Sequence, residues 1–150
     1  MTNVTVHPCA LGAAEGSAKL GIYKPANRGR HSIVDTDAKP TIEVRLRTLD
    51  DLAKSSAGNV ASWSLVKIDV EGYEGFVLEG AKQTLPRMEM LVMEFSPALL
   101  RKAGLDPASL LDKLSRIFSR IYRIDRTDLV PTSARECLGN ETQTELVFER

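Results

Sequence analysis

No two glycines in this chain stand one residue apart. The ten glycines among 150 residues include no Gly-x-Gly, so a Gly-rich cofactor cradle is not found among these residues. No apolar run approaches the roughly 18 residues that a membrane span requires, and Met1-Thr-Asn-Val-Thr-Val-His7 has neither the basic cluster nor the apolar stretch of a signal peptide. A cytoplasmic chain with no membrane partner is expected. Neither sign of charge is in excess: 20 basic and 20 acidic residues give a net charge of zero, which removes the electrostatic basis for binding nucleic acid. Only two cysteines occur, Cys9 and Cys137, far apart and without metal-type spacing. A zinc site and a disulfide framework are both unsupported, and free thiols in a reducing compartment are expected. What remains is a single domain over residues 1–150, long enough to bury a core and too short for two.

The informative stretch is Leu65-Val-Lys-Ile-Asp-Val-Glu-Gly-Tyr-Glu-Gly-Phe-Val-Leu-Glu-Gly-Ala81. Leu65, Val66, Ile68 and Val70 form a short apolar run that predicts a parallel strand covered on both faces, with Lys67 snorkelling out of it. Asp69 and Glu71 then fall at the strand's carboxyl end, where open α/β sheets gather their site residues. Beyond Gly72, the spacing of Tyr73, Phe76, Val77, Gly80, Ala81 and Leu85 predicts a helix that Pro86 stops, with Glu71 and Glu74 at its positive end. Leu91-Val-Met-Glu-Phe95 supplies the next strand, giving a strand, helix, strand unit of the α/β class.

The run Val66-Lys-Ile-Asp-Val-Glu-Gly-Tyr-Glu74 with Val77-Leu-Glu-Gly-Ala81 resembles the signature of the FkbM-type methyltransferases, a branch of the class I S-adenosylmethionine-dependent fold. Asn3-Val-Thr-Val6 with Ala10-Leu-Gly12, and Val44-Arg-Leu-Arg-Thr-Leu-Asp-Asp51, resemble the family's segments just before that signature. The resemblance implies a partial Rossmann-like sheet, the third to seventh strands of the fold, with an antiparallel pair at the C-terminal edge. It also implies a methyltransferase using S-adenosylmethionine, acting on a hydroxyl of a small molecule or glycan, with Cys9 and Ala10 beside the cofactor's adenine. The family's first strand, its Gly-rich loop and its ribose-binding acid have no counterpart here. Two readings follow: a methyltransferase represented short, or a non-catalytic remnant or half-domain that requires another polypeptide. An unrelated α/β binding module is a third, which the length of the signature argues against. The isolated chain is expected to bind S-adenosylmethionine weakly at best, and to self-associate through its exposed central strand, cover that strand with its own segment Val4 to Leu46, or behave as a partly molten species.

Candidate site residues each have two readings. Asp69 can act as general base, orient a hydroxyl or ligate a metal, or simply cap the following helix. Glu94, ending a strongly apolar strand, faces the same crevice; with Asp69 it can share an oxygen-liganded cation such as Mg2+, or bond a loop backbone. Glu71 is a third catalytic candidate with an equal claim to being a cap, and Glu74 reads as an acid that complements the helix dipole. His31, in Arg28-Gly-Arg-His-Ser32, closes over a substrate or is plain surface, and His7 beside Pro8 reads as structural.

Elsewhere, Val4 and Val6 predict a first strand ending at Pro8, while Leu20-Gly-Ile-Tyr23 and Thr41 to Leu46 predict two more around a loop from Lys24 to Pro40. Thr48 and Asp51 predict a short capped helix fading before Ser55-Ser-Ala-Gly58. Trp63 is expected to pack under a loop or at the start of the central strand. Ser96-Pro97 opens a helix that Gly104 closes, and Asp106-Pro107 opens a longer one with a Leu110, Leu111, Leu114, Ile117, Phe118 stripe. Ile121 to Ile124 and Glu145 to Phe148 predict two late strands, which the resemblance pairs antiparallel at one sheet edge.

Overall fold

A computed structural model of the chain describes residues 3–23, 31–34, 36, 40–55 and 62–150. The large sheet contains β4 (Val66–Ile68), β5 (Met90–Phe95), β6 (Arg120–Asp125), β7 (Asp128–Pro131) and β8 (Thr144–Glu149), in the order β4-β5-β8-β6-β7. The β4 and β5 strands run parallel, and β8 then pairs antiparallel with both β5 and β6. The expected α/β, Rossmann-like arrangement with its late antiparallel pair is thus present, and the hairpin strand β7 extends it by one. A smaller sheet, ordered β1-β3-β2, holds β1 (Ala10–Leu11), β2 (Gly16–Gly21) and β3 (Thr41–Arg47).

Alternation along β5 and β8 builds the core. Leu91, Met93 and Phe95 share a face with Leu146 and Phe148, and all five are fully buried. Against that face lie Leu78 of α2 (Glu74–Glu79), Leu100 of α3 (Pro97–Lys102), and Leu111 and Leu114 of α4 (Pro107–Ser115). Each large apolar side chain so buried contributes about 1.5–3 kcal/mol, which makes this cluster the main source of stability. The helix starts follow the capping chemistry of the sequence. Ser96 accepts from Leu99 N–H, Asp106 accepts from Ala108 and Ser109 N–H, and Thr48 accepts from Asp51 N–H at the head of α1 (Leu49–Ser55). Gly104, at φ +81°, follows the end of α3 as expected.

Four expectations change. Asn3 to Pro8 form no strand: Val4 and Val6 are 60% and 82% exposed, Pro8 has no N–H for a ladder, and pairing begins only at Ala10. The central strand is covered on one face, not both. Ile68 is buried with Val66 and Val70 packed beside it on the core, but Leu65 and Lys67, which point to the opposite face, are exposed. The helix after Gly72 ends at Glu79 instead of reaching Pro86, which opens a separate 3-10 turn, Leu85–Arg87. Its limit is set by Gly80, packed against the Gly12 carbonyl so closely that a Cβ would overlap it. Finally, α5 (Ala134–Leu138) joins β7 as an element absent from the expected set; a full capping box between Ser133 and Glu136 starts it.

Trp63 sits where expected, bridged to Met88 just ahead of β4 and packed on the core. Most of the Lys24 to Pro40 loop, Arg28 and Arg30 with it, lies outside the described residues, as do Ser56 to Gly58. Among the described residues no helix is long and apolar enough to cross a membrane.

Candidate functional site

The acidic turn after β4 is shaped by two consecutive left-handed residues, Glu71 at φ +53° and Gly72 at φ +95°. Glycine is required at the second position, since a Cβ there would overlap Leu99 Cβ as well as strain the backbone. Glu74, only 1% exposed, holds the turn from beneath: its Oε1 accepts from Val70 N–H at 3.2 Å and Gly72 N–H at 3.1 Å. Burial raises the Glu74 carboxyl above its ordinary value, and the N–H donors of Glu74, Gly72 and Val70 only partly offset that. Glu74 therefore organises the loop instead of simply complementing a helix dipole. From the other side, the buried Ser32 hydroxyl donates to the Glu71 carbonyl at 3.2 Å.

This turn brings Asp69 and Glu71 to Glu94 at the end of the neighbouring strand β5, and one carboxylate oxygen from each lies within 4.8 Å of the others. Glu94 is 8% exposed. Its Oε1 accepts a hydrogen bond from the Gln143 side-chain amide, whereas its Oε2 is buried with no partner. Burial first, then the charges of Glu71, Asp69 and Glu74, push the Glu94 carboxyl up to about 7, with the Gln143 hydrogen bond pulling the other way. On the rim, Lys67 Nζ reaches Asp69 Oδ2 and Glu145 Oε1, each at 3.1 Å, and these bonds raise the Lys67 ammonium above its ordinary value.

Asp69 also borders a cleft of about 430 Å³ between β4 and the small sheet. Cys9 and Ala10 line it, with Leu20, His31, Ile68 and Tyr73. That volume lies within the roughly 300–1,000 Å³ usual for small-molecule sites. His31 is fixed there by its Nδ1, which accepts from Tyr23 N–H at 3.2 Å, so a neutral ring carries its proton on Nε2. His7 lines a different depression, beside β3.

All three predicted carboxylates thus meet, and Cys9 and Ala10 share a cleft with one of them. Ser32, Gln143 and Glu145 were missed. Gln143 and Glu145 come from the last strand region, and only the register that sets Glu145 opposite Glu94 brings them here, so no local sequence signal marks them. A family model described as the methyltransferase FkbM domain matches residues 2–123. No curated protein and no solved structure matches the chain.

Proposed function

Since the chain belongs to the FkbM methyltransferase family, we propose that it carries the acceptor side of an S-adenosylmethionine-dependent O-methyltransferase acting on a hydroxyl of a small molecule or glycan. One observation carries this: Asp69 belongs both to the carboxylate cluster and to the wall of the cleft. A group bound in that cleft would lie next to the proton acceptors.

The apolar walls, with Cys9 and Ala10, suit the adenosine end of the cofactor, while no Gly-x-Gly is present to receive its methionine end. When bound, S-adenosylmethionine supplies an electrophilic methyl carbon. Asp69, exposed at the cleft wall, takes the proton of the attacking hydroxyl as general base. Glu94, with its proton affinity held near neutrality, receives or returns a proton behind it, and Glu71 orients the hydroxyl. Holding oxygen and methyl carbon in line supplies several kcal/mol of the barrier, on the order of the 7–11 kcal/mol available to oriented reactants. Two unpaired thiols, Cys9 and Cys137, accord with a cytoplasmic setting.

In a full-length family protein carrying these residues, Asp69→Asn is expected to lower kcat by about 10²–10⁴-fold with the fold intact. Turnover near the unmutated level would reduce Asp69 to a cap. A second reading, a folded half-domain that completes its sheet with another chain, is favoured by the single strand neighbour of β4 among the described residues. In that reading the edge of β4 pairs with a second copy or another polypeptide. Calorimetry on the isolated chain separates the two, because a micromolar Kd for S-adenosylmethionine, about −8 kcal/mol, contradicts a half-domain.

A further inference from the structure

Three carboxylates converge at the ends of β4 and β5, and the innermost is incompletely satisfied. Glu94 is held on one oxygen by the Gln143 amide and keeps Oε2 buried without a donor. Asp69 spends Oδ2 on Lys67, which is itself shared with Glu145. A small cation shared by the three carboxylates would supply that missing partner. A single cation bonded to two oxygens cannot hold them farther apart than twice its bond length, about 4.2 Å for Mg2+ and about 4.6–5.2 Å for Ca2+. The mutual limit of 4.8 Å among Asp69, Glu71 and Glu94 falls within the calcium span and needs only a small inward movement for magnesium. The donors are all carboxylate oxygens, with no thiolate or imidazole among them, which selects hard, oxygen-seeking ions over zinc or copper.

We propose that Asp69, Glu71 and Glu94 bind one divalent cation of the magnesium, calcium or manganese type, with Gln143 as the positioning residue that presents Glu94 to it. The turn that carries Asp69 and Glu71 is already fixed without the ion, by Glu74 on the Val70 and Gly72 N–H groups and by Ser32 on the Glu71 carbonyl. The cation therefore meets a preformed turn, and its own contribution is to draw the three carboxylates together. Gln143 does for Glu94 what outer partners do for ligands generally: it fixes the carboxylate's rotation. This site is built from the same three carboxylates as the proposed methyl-transfer machinery and deepens that reading, since a bound cation would lower the pKa of an acceptor hydroxyl; its occupancy is read on the chain alone, without cofactor or acceptor, so its failure leaves that reading standing.

The test is calorimetric titration of the chelator-treated chain with Mg2+, Ca2+ and Mn2+ near neutral pH, with electron paramagnetic resonance counting bound Mn2+. One saturable site of submillimolar affinity is expected for at least one ion, accompanied by a rise in Tm with ion concentration. Glu94→Gln and Glu71→Gln should each weaken it at least tenfold, and Gln143→Ala by about 10–100-fold. Asp112→Asn, on an exposed acid paired with Arg116 away from the site, should leave affinity unchanged. If Glu94→Gln fails to fold, Glu71→Gln at the more accessible turn carries the test. Absence of saturable binding into the millimolar range, or equal binding by a natively folded Glu71→Gln chain, would overturn the proposal.

Discussion

Gly80 sits against Gly12 so closely that the space for its Cβ is occupied by the Gly12 carbonyl. The contact presses the end of α2 onto the turn after β1, and Asp50 N–H donating to the Gly80 carbonyl at 3.0 Å tightens it. Both neighbours are backbone and cannot rotate away. Gly80→Ala is expected to lower stability by about 1–3 kcal/mol, as overpacking does. Gly16→Ala, where nothing lies within 4 Å, should stay within about 0.5 kcal/mol of the parent. Urea unfolding midpoints check this, and indistinguishable midpoints for the two variants would refute the contact.

A second prediction concerns acid. The Asp50 carboxylate accepts from Gln83 N–H, Thr84 N–H and the Thr84 hydroxyl at 2.8–3.1 Å, tying α1 to the turn beyond α2. Burial alone would raise its pKa; the Gln83 and Thr84 hydrogen bonds and Lys54 outweigh that and hold it below the ordinary 3.8. A depressed carboxyl stabilises the fold fully above its unfolded value, and that contribution is lost as pH falls through the folded one. Asp50→Asn should therefore cost about 1 kcal/mol at neutral pH, the low end for charged hydrogen bonds because the group is partly solvated. The difference between parent and variant should shrink below pH 3.8. A gap that stays constant down to strong acid would contradict this linkage.

Ser32 is the tie between the small sheet and the acidic turn. Its backbone pairs with Gly21, its hydroxyl accepts from Val34 N–H, and it donates to the Glu71 carbonyl. Ser32→Ala should cost about 1–2 kcal/mol and, more tellingly, speed hydrogen exchange at Val70 and Gly72, whose amides are held by Glu74 in the same turn. Unchanged protection at those two amides would mean that Glu74 alone shapes the loop.

The exposed edge gives a fourth expectation. Leu65 is 59% exposed beside a strand that pairs on one side only among the described residues. Such an edge invites strand addition, and a charge placed on it suppresses pairing. Sedimentation velocity should show mass rising with concentration for the parent and less so for Leu65→Lys. A monomer at every concentration for both chains would remove the edge as an association surface.

How far the sequence could be read follows from where each constraint originates. The β4 strand, the acidic turn and the start of α2 were legible because a short apolar run, Glu-Gly and the following helical spacing are local signals. The convergence of Asp69 with Glu94 followed from two parallel neighbours ending at one level. The end of α2 was not legible, since the carbonyl that limits it belongs to Gly12, far away in the chain. Gln143 and Glu145 were hidden for the same reason: their positions come from the pairing of β8 with β5. The α5 helix was a different case. Its Ser133 and Glu136 box was written in the sequence, but five residues of helix give too little periodicity to stand out.

The placement of β8 also fixes an order of assembly. β8, which follows all the other described strands in the chain, lies third in a sheet of five, so β5 and β6 are not joined into one sheet until residues 144–149 have left the ribosome. Until then the nascent chain holds two separate pieces, a parallel pair and a hairpin, with the apolar faces of Leu91, Met93 and Ile121 unsealed. Completing the core waits on a long-range pairing of the kind that folds slowly and leaves sticky surface open to neighbours. A chain stalled before Thr144 would therefore be a substrate for chaperones or proteases, and its carboxylate cluster would lack Glu145 and the strand that carries the preceding Gln143 to Glu94.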